Sequence, residues 1–490
     1  MNLTSLAFFG FFAAVFGLYW LAPARWRWAP LLAANLWFYL TMGSPALLWT
    51  LAAATLASWG AALALGRWRT AWAKRCALLA ALAVCLGLLL WFKYAGFFAA
   101  SANWLAARLG LGAQLPAITL ALPAGISFYT LQTISYLMDV YRGRLAPEKH
   151  LGRYAAYQSF FVLLTSGPIE RPGSLLPQLQ NPGRFDADEA IEGFWLVLLG
   201  LFQKIPLGNI LGNWADKGFN DPLGVTGMSL LFSALCYSFH IYYDFAGYSN
   251  MALGLGKLLG LQLTQNFRQP YFATSIRDFW GRWHISFSSW LRDYVYFPLG
   301  GSRKGRARTY LNLMLTFLVS GLWHGAGSCF LFWGALHGAY QVAGRATAPL
   351  REKAWRALHI RPANPLLILW KMGFTFCIVS FAWVFFRVGT AGGGMADAWA
   401  FLAKIGAEFS LSLTAIKNGL AMMGFTPFLI ARLAVFMLLG LLVDCKARSR
   451  GPGAWLMSLS LPPRFLLGYV FVFASMFCGA DGPSSIYHQF

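Results

Sequence analysis

Apolar runs recur along the whole chain, and short segments rich in proline, glycine and arginine separate them. The runs cover residues 3–21, 31–41, 46–66, 76–100, 117–140, 155–166, 190–214, 226–246, 310–344, 366–386, 410–422, 428–444 and 464–479. A helix needs about 20 mostly apolar residues to cross the roughly 30 Å hydrocarbon core of a bilayer. The pattern therefore predicts an all-α integral membrane protein with about ten or more passes.

Charged residues are scarce throughout the sequence. They make up 11% of the 490 residues, whereas an ordinary soluble domain carries roughly 25%. This deficit excludes a soluble enzyme, because a water-exposed surface needs more charge. The basic residues lie in short clusters between apolar runs, as in cytoplasmic loops beside anionic headgroups. The net charge of +22 thus indicates membrane lipids as partners and no nucleic acid, with a polyanion-binding role as the alternative.

Several common kinds of site find no support in the sequence. The seven cysteines lie mostly within apolar runs and show no CxxC spacing, so neither a disulfide framework nor a zinc site is expected. The sequence lacks GxGxxG, P-loop, HExxH and GxSxG patterns, which leaves phosphate-cradle, zinc-protease and serine-hydrolase functions unsupported. We therefore expect no metal ligands.

Short apolar runs point to a cavity inside the membrane. Runs such as 31–41 and 155–166 are too short to cross the hydrocarbon core, so they are either buried half-helices or interfacial segments. Non-helical backbone at membrane depth is tolerated only where protein or a water-filled cavity covers it. Because no linker is long enough to separate a soluble domain, we expect a single polytopic domain over residues 1–490, with a catalytic signature region at about 240–345.

The segment 266–308 is both aromatic and cationic. Helical spacing over 276–296 places one set of aromatic side chains on a common face, namely Phe279, Trp283, Phe287, Trp290 and Tyr294. This predicts an interfacial amphipathic helix. Such a helix either anchors the protein at the membrane surface or caps a cavity that receives a polyanionic donor such as coenzyme A, with arginines offered to phosphate.

The segment 311–340 is predicted to enter the membrane and return. One continuous helix would be about 45 Å long, but Gly321, Gly325 and Gly327 interrupt it. Basic clusters flank both ends, which predicts that both ends lie on the same side of the membrane. Trp323 and His324 then lie near the turn.

His324 is the strongest candidate for a functional residue. An ionisable residue within the membrane indicates a functional site, and a neutral imidazole can take a proton from a hydroxyl near pH 7. The alternative is a structural histidine bonded to a backbone carbonyl. His284 is a weaker candidate, and Asp244 could either orient a histidine or bond helix ends. The remaining histidines carry less weight: His150, His240, His337, His359 and His488.

Several long motifs resemble one family. The sequence RDFWGRWHISFSSWLRDYVYFPLGGSRKG, followed by GLWHGAGSCFLFWGALHG, closely resembles the signature region of the membrane-bound O-acyltransferases. LPAGISFYTLQTISYLMDVYRG, SGPIERP, GLFQKIPLGN, YYDFAGYSNMALGLGKLLG, NFRQPY, WVFFR and the terminal IYHQF are similar to that family's blocks in their usual order. The resemblance covers nearly the whole chain. Gly327, Ser328 and His488 depart from the family pattern, and the resemblance therefore does not assign the acceptor polymer.

This resemblance implies a fold and an activity. The fold would be a polytopic multi-helix bundle around a central tunnel, with re-entrant and interfacial helices, in the bacterial inner membrane. The activity would be O-acyl transfer, in which an acetyl group passes from a cytoplasmic donor, acetyl-CoA, to an extracytoplasmic polysaccharide such as alginate. No bound cofactor is implied, and a periplasmic acetyltransferase or esterase-like partner would complete the transfer.

The resemblance also implies site residues. The family's invariant histidine corresponds to His324, as general base or as the residue that positions the acceptor hydroxyl, and its second histidine corresponds to His284. The residues expected to bind substrate are Trp323, Asp244, Asn266, Arg282, Trp283 and Arg292. Three alternatives remain: D-alanyl transfer from an acyl carrier protein to teichoic acid, transport of a lipid-linked saccharide, and a structural scaffold for a secretion complex.

Overall fold

The computed structural model describes residues 1–42, 45–112, 114–164 and 166–478. Across these ranges the regular elements are helices, and no strand occurs. The all-α prediction is therefore confirmed. The terminal IYHQF motif and His488 lie outside the described residues.

The chain forms helices of very different lengths. In the first part these are α1 (Leu6–Leu21), α2 (Trp28–Leu40), α3 (Leu48–Arg67), α4 (Ala71–Leu89), α5 (Ala95–Arg108), α6 (Ile126–Tyr141), α7 (Leu151–Gln158), α8 (Pro172–Gln180), α9 (Ala187–Phe202), α10 (Ile210–Asn220) and α11 (Gly227–Leu258). They continue with α12 (Ile276–Trp280), α13 (Ile285–Leu291), α14 (Gly305–His324), α15 (Ser328–Ala346), α16 (Ala348–Ala357), α17 (Pro365–Thr390), α18 (Met395–Ala407), α19 (Leu413–Met422), α20 (Pro427–Lys446), α21 (Pro452–Ser458) and α22 (Leu461–Phe477). Wider π-helical turns occupy Leu90–Tyr94, Gln203–Asn209 and Arg292–Tyr296.

Five helical segments are long and apolar enough to cross a membrane. They are Pro45–Arg67, Ala71–Arg108, Ala187–Asn220, Pro365–Thr390 and Pro427–Lys446. The apolar helices Leu6–Leu21 and Leu461–Phe477 are shorter. The run 155–166, predicted to be too short to cross the membrane, is also not one continuous helix, since α7 ends at Gln158 inside it.

The helices group into two compact units. The first comprises Met1–Phe194 and Ala252–Thr264, and the second comprises Trp195–Met251 and the described residues from Gln265 onward. In the first unit, the buried Asn35 amide donates to the carbonyl oxygen of Ala156 (3.1 Å) and accepts from the backbone N–H of Phe161 (3.0 Å). These bonds satisfy polar groups that would otherwise be costly to bury.

In the second unit, α14 and α15 form a hairpin whose backbones touch. A Cβ atom added to Gly321 would lie 2.2 Å from the carbonyl oxygen of Phe330, and one added to Gly334 would lie 2.4 Å from that of Phe317. Neither position has room for a side chain. Glycine at these two positions therefore permits the close helix approach that is typical of small residues in membrane helices.

The hairpin confirms that the chain folds back on itself within 311–340. Gly338 faces Met314 near the middle of the hairpin, and Arg306 and Arg345 line one cavity of about 340 Å³ at its open end. His324 is the last residue of α14. The two basic flanks therefore lie together at one end, and His324 lies at the other.

The prediction of one continuous amphipathic helix over 276–296 is wrong. The segment is divided into α12, α13 and a π-helical turn, and His284 between them has left-handed backbone angles (φ 44°, ψ 55°). The backbone groups at the break bond to a neighbouring segment instead of to the preceding helical turn. Arg282 accepts from the N–H of Arg268 (2.9 Å), and the N–H of Ile285 donates to Asn266 (2.9 Å).

We predict that both ends of the hairpin face the cytoplasm. In a background without native cysteines, Ser302→Cys and Thr347→Cys should react with a membrane-impermeant maleimide in inside-out vesicles but not in intact spheroplasts. Ser328→Cys is the matched control at the other end of the hairpin, about 30 Å away along α14, and should not share this pattern. Labelling of Ser302→Cys and Thr347→Cys from opposite faces would contradict the orientation.

Candidate active site

Asn266 is the centre of the hydrogen bonds that hold His284. Its Oδ1 atom lies 3.2 Å from Nδ1 of His284 and accepts from the hydroxyl of Ser286 at 2.8 Å. Its Nδ2 atom donates to the Ser249 hydroxyl at 3.3 Å. All four side chains are buried. Asn266, predicted as a substrate-binding residue, thus lies within the site and supports a histidine.

These contacts fix the tautomer of a neutral His284. The backbone N–H of Ser286, which can only donate, points at the same Asn266 atom at 3.3 Å, so that atom is the amide oxygen. An amide oxygen only accepts, so Nδ1 of His284 carries the hydrogen and Nε2 holds the lone pair. The basic nitrogen of His284 is therefore Nε2.

The backbone at His284 is strained. A left-handed conformation costs a residue other than glycine roughly 1–2 kcal/mol, and such strain persists where the surrounding structure holds it in place. The bonds from Arg268 to Arg282 and from Ile285 to Asn266 lie on either side of His284. They hold the chain in the turn that brings the imidazole into the interior.

His324, at the tip of the hairpin, is enclosed by aromatic rings. Its ring centroid lies 4.8 Å from Trp323, 5.1 Å from Trp333, 5.1 Å from Phe386 and 5.6 Å from Phe287. Only 2% of the residue is exposed. Enclosure by apolar rings shields the imidazole from bulk water.

Gly325 makes room for part of this enclosure. A Cβ atom on Gly325 would lie 2.1 Å from the ring of Phe330. That ring packs edge-on against Phe386 at 5.4 Å, and Phe386 contacts His324. A larger residue at 325 would therefore displace the rings behind His324.

Phe287 lies between the two histidines. Its ring centroid is 5.1 Å from that of His284 and 5.6 Å from that of His324, and the tilted ring of Trp323 lies 4.4 Å from it. Phe245 contacts His284 from another side at 4.7 Å. We call the following residues the histidine cluster: Phe245, His284, Phe287, Trp323, His324, Trp333 and Phe386. The structure thus brings the two histidines predicted from sequence around one shared ring.

Two other predicted substrate-binding residues have different neighbours. Asp244 is buried and forms an ion pair with Lys204, which also donates to Asn209 at 2.9 Å. Two roles were predicted for Asp244, and its contact with Lys204 corresponds to the bonding of helix segments. Trp283 is buried against Phe279 and Trp383, at 5.4 Å and 5.0 Å.

The two predicted arginines pair with acids close in sequence. Arg282 contacts Asp278 at 2.7 Å, and Arg292 contacts Asp293 at 2.8 Å. The Arg292 side chain is 58% exposed. The structure therefore pairs each guanidinium group with a neighbouring carboxylate, and their role toward substrate stays a prediction.

Sequence reasoning missed several residues at the site. Phe245, Ser249 and Ser286 gave no signal, because their types are common in apolar helices. Lys204 and Asp444 did give one, since each is a charged residue inside an apolar run, and such residues indicate function or pairing. Within the described ranges, no three His, Cys, Asp or Glu side chains are grouped to hold a metal ion.

The histidine cluster offers one kind of chemistry. A buried neutral imidazole with a fixed tautomer can take a proton from a hydroxyl and return it to a leaving group. Aromatic enclosure suits a reaction that must exclude water, such as transfer of an acyl group that water would hydrolyse.

Comparisons with known proteins agree with this chemistry. The model of MBOAT, the membrane-bound O-acyltransferase family, matches residues 148–387. A probable alginate O-acetylase of Pseudomonas putida is 39% identical over 394 residues, 79% of this chain and 77% of the relative. A peptidoglycan O-acetyltransferase of Helicobacter pylori is 35% identical over 340 residues, 64% of this chain and 62% of the relative.

A more distant relative transfers a different acyl group. A teichoic acid D-alanyltransferase of Bacillus subtilis is 29% identical over 225 residues, 44% of this chain and 56% of the relative. Taken together, the matches show that this chain is a membrane O-acyltransferase and belongs to the membrane-bound O-acyltransferase family.

Proposed function

We propose that this protein transfers an acetyl group from cytoplasmic acetyl-CoA to hydroxyl groups of an extracytoplasmic polysaccharide such as alginate. The observation that carries the proposal is the pair of buried histidines around Phe287. The identity of 39% to a probable alginate O-acetylase supports acetyl as the acyl group. The names of the relatives, which cover alginate, peptidoglycan and teichoic acid, support a polymeric acceptor.

In this proposal His324 is the general base. Its imidazole takes the proton of the acceptor hydroxyl while the oxygen attacks the thioester carbonyl carbon. The carbon–sulfur bond then breaks, and the imidazolium returns the proton to the thiolate, so the products are an ester and a free thiol. A positioned base of this kind contributes about 10²- to 10⁴-fold to the rate.

His284 assists from the other side of Phe287. With Nδ1 bonded to Asn266, the second basic nitrogen of the cluster is Nε2 of His284. We propose that His284 orients the donor thioester or stabilises the proton in transit. Its fixed tautomer reduces the reorganisation that the reaction needs.

We further propose that a periplasmic acetyltransferase or esterase-like partner presents the hydroxyl that attacks the thioester, receives the acetyl group as an ester and completes its transfer to the polymer. This step follows from the proposed direction of transfer, because a donor and an acceptor on opposite sides of the membrane require an exit on the far side. The second candidate function, D-alanyl transfer to teichoic acid, rests on the 29% identity to the Bacillus subtilis enzyme. It is disfavoured because the acetyltransferase relatives are more similar over longer segments.

We predict that His324→Ala nearly abolishes acetylation, by about 10²- to 10⁴-fold, because the base is lost. The measurement is transfer of label from isotopically labelled acetyl-CoA in membranes, together with polymer ester content in a complemented strain. His359→Ala, at an exposed histidine, is the matched control and should behave like wild type. Wild-type ester content in the His324→Ala strain would refute the role of His324, and label from D-alanyl carrier protein instead of acetyl-CoA would favour the second function.

We also predict that Asn266→Ala lowers the initial rate about ten- to a hundred-fold, since a misplaced catalytic group carries a cost of this order. Ser289→Ala, which removes a hydroxyl bonded to the Ser286 carbonyl (2.9 Å), is the control within α13 and should retain activity. Rates are compared at equal amounts of folded protein in detergent. If Asn266→Ala were as active as wild type, the hydrogen bond to His284 would have no part in catalysis.

A further inference from the structure

Helix α20 carries a carboxylate on an otherwise lipid-facing helix. Only Gly440, Val443 and Asp444 are buried in this helix, while most of its apolar side chains are exposed. A charged residue in a membrane-spanning helix is costly and marks a specific interaction. Because Asp444 lies on the protein-facing side of α20, we expect it to form a specific interaction with another part of the protein.

Asp444 bonds to a tyrosine from α11. The hydroxyl of Tyr242 donates to Oδ2 of Asp444 at 2.9 Å, and both residues are buried. One turn earlier, Gly440 lets α20 approach closely, because a Cβ atom there would lie 2.9 Å from the hydroxyl oxygen of Tyr243. The interaction is thus a buried, oriented hydrogen bond and not a surface contact.

The ring of Tyr242 packs against both segments that meet at His284. It contacts Phe267 edge-on at 5.8 Å and Trp283 at 6.3 Å, and those two rings contact each other at 5.1 Å. Phe267 directly follows Asn266, and Trp283 directly precedes His284. Tyr242 therefore supports the two chain segments whose side chains form the Asn266–His284 hydrogen bond.

We propose that Asp444 is a positioning residue that acts through Tyr242 on the Asn266–His284 pair. The carboxylate fixes the Tyr242 ring, and the ring fixes the segments at Phe267 and Trp283. Asp444 lies outside residues 148–387, which match the family model, so the C-terminal part of the chain contributes to the geometry of the site. This inference rests on the proposed acetyl transfer at the histidine cluster.

The test compares Asp444→Leu, Asp444→Asn and Tyr242→Phe with wild type. Asp444→Leu and Tyr242→Phe should lower kcat about ten- to a hundred-fold, with the KM for acetyl-CoA nearly unchanged, because both residues are proposed to act on the position of His284 and not on binding of the donor. Asp444→Asn should stay within about threefold of wild type, since its amide oxygen still accepts from Tyr242. The double variant Asp444→Leu/Tyr242→Phe should be no worse than either single variant, because both remove the same bond.

Controls separate positioning from loss of fold. Val443→Ala removes packing from the neighbouring buried position on α20 and should keep wild-type kcat. Thermal midpoints in detergent are measured for all variants, and if Asp444→Leu does not fold, Asp444→Asn and Tyr242→Phe still decide the question. Wild-type kcat in folded Tyr242→Phe would overturn the proposal. An equal loss of kcat in Asp444→Asn and Asp444→Leu would also overturn it, because activity would then depend on the charge of Asp444 and not on its hydrogen bond to Tyr242.

Failure of this inference is distinguishable from failure of the proposed function. Loss of transfer in His324→Ala combined with wild-type kcat in Tyr242→Phe would refute only the role of Asp444. If wild-type membranes transfer no label from acetyl-CoA, the donor assignment fails, and polymer ester content in cells then compares the same variants. The variants should then rank in the same order by ester content as by kcat, with Asp444→Asn near wild type and Tyr242→Phe well below it. Equal ester content in all variants would overturn the inference.

Discussion

The backbones of α14 and α15 touch at Gly321 and Gly334, and the position of His324 depends on this contact. Any side chain at either glycine would overlap a carbonyl oxygen of the opposite helix. In a membrane, helices gain little from the hydrophobic effect against one another, so close packing of this kind supplies much of their association. The hairpin thereby carries His324 to its tip and encloses it with rings from α13, α15 and α17.

The second constraint is the set of bonds around Asn266. They hold His284 in a left-handed conformation that the free chain avoids, and they break what would otherwise be a continuous surface helix. Phe287 follows one turn later and reaches both imidazoles. The close contact at Gly321 and Gly334 positions His324, and the Asn266 amide positions His284. Together these two interactions determine how far apart the two histidines lie.

The sequence was sufficient to predict the all-α membrane fold and the hairpin, and it singled out the two histidines that the structure places around Phe287, whose catalytic role stays a prediction. These features follow from local signals: apolar run length, glycine interruptions, basic flanks and isolated imidazoles. The break at His284 could not be predicted, because it depends on backbone bonds from residues 266–268, which are distant in sequence. The ion pair between Asp244 and Lys204 and the bond between Tyr242 and Asp444 were missed for the same reason, since each joins residues about 40 or more positions apart.

The proposed mechanism requires that both histidines contact Phe287 inside one enclosed cluster. A cryo-electron microscopy map of the protein in a lipid nanodisc, at a resolution that shows side chains, tests it directly. We expect both imidazole rings to lie against the Phe287 ring, with centroids near 5.1 Å and 5.6 Å from its own, and Asn266 to lie beside His284. A map in which α14 and α15 separate, so that His324 faces lipid and shares no ring with His284, would contradict it.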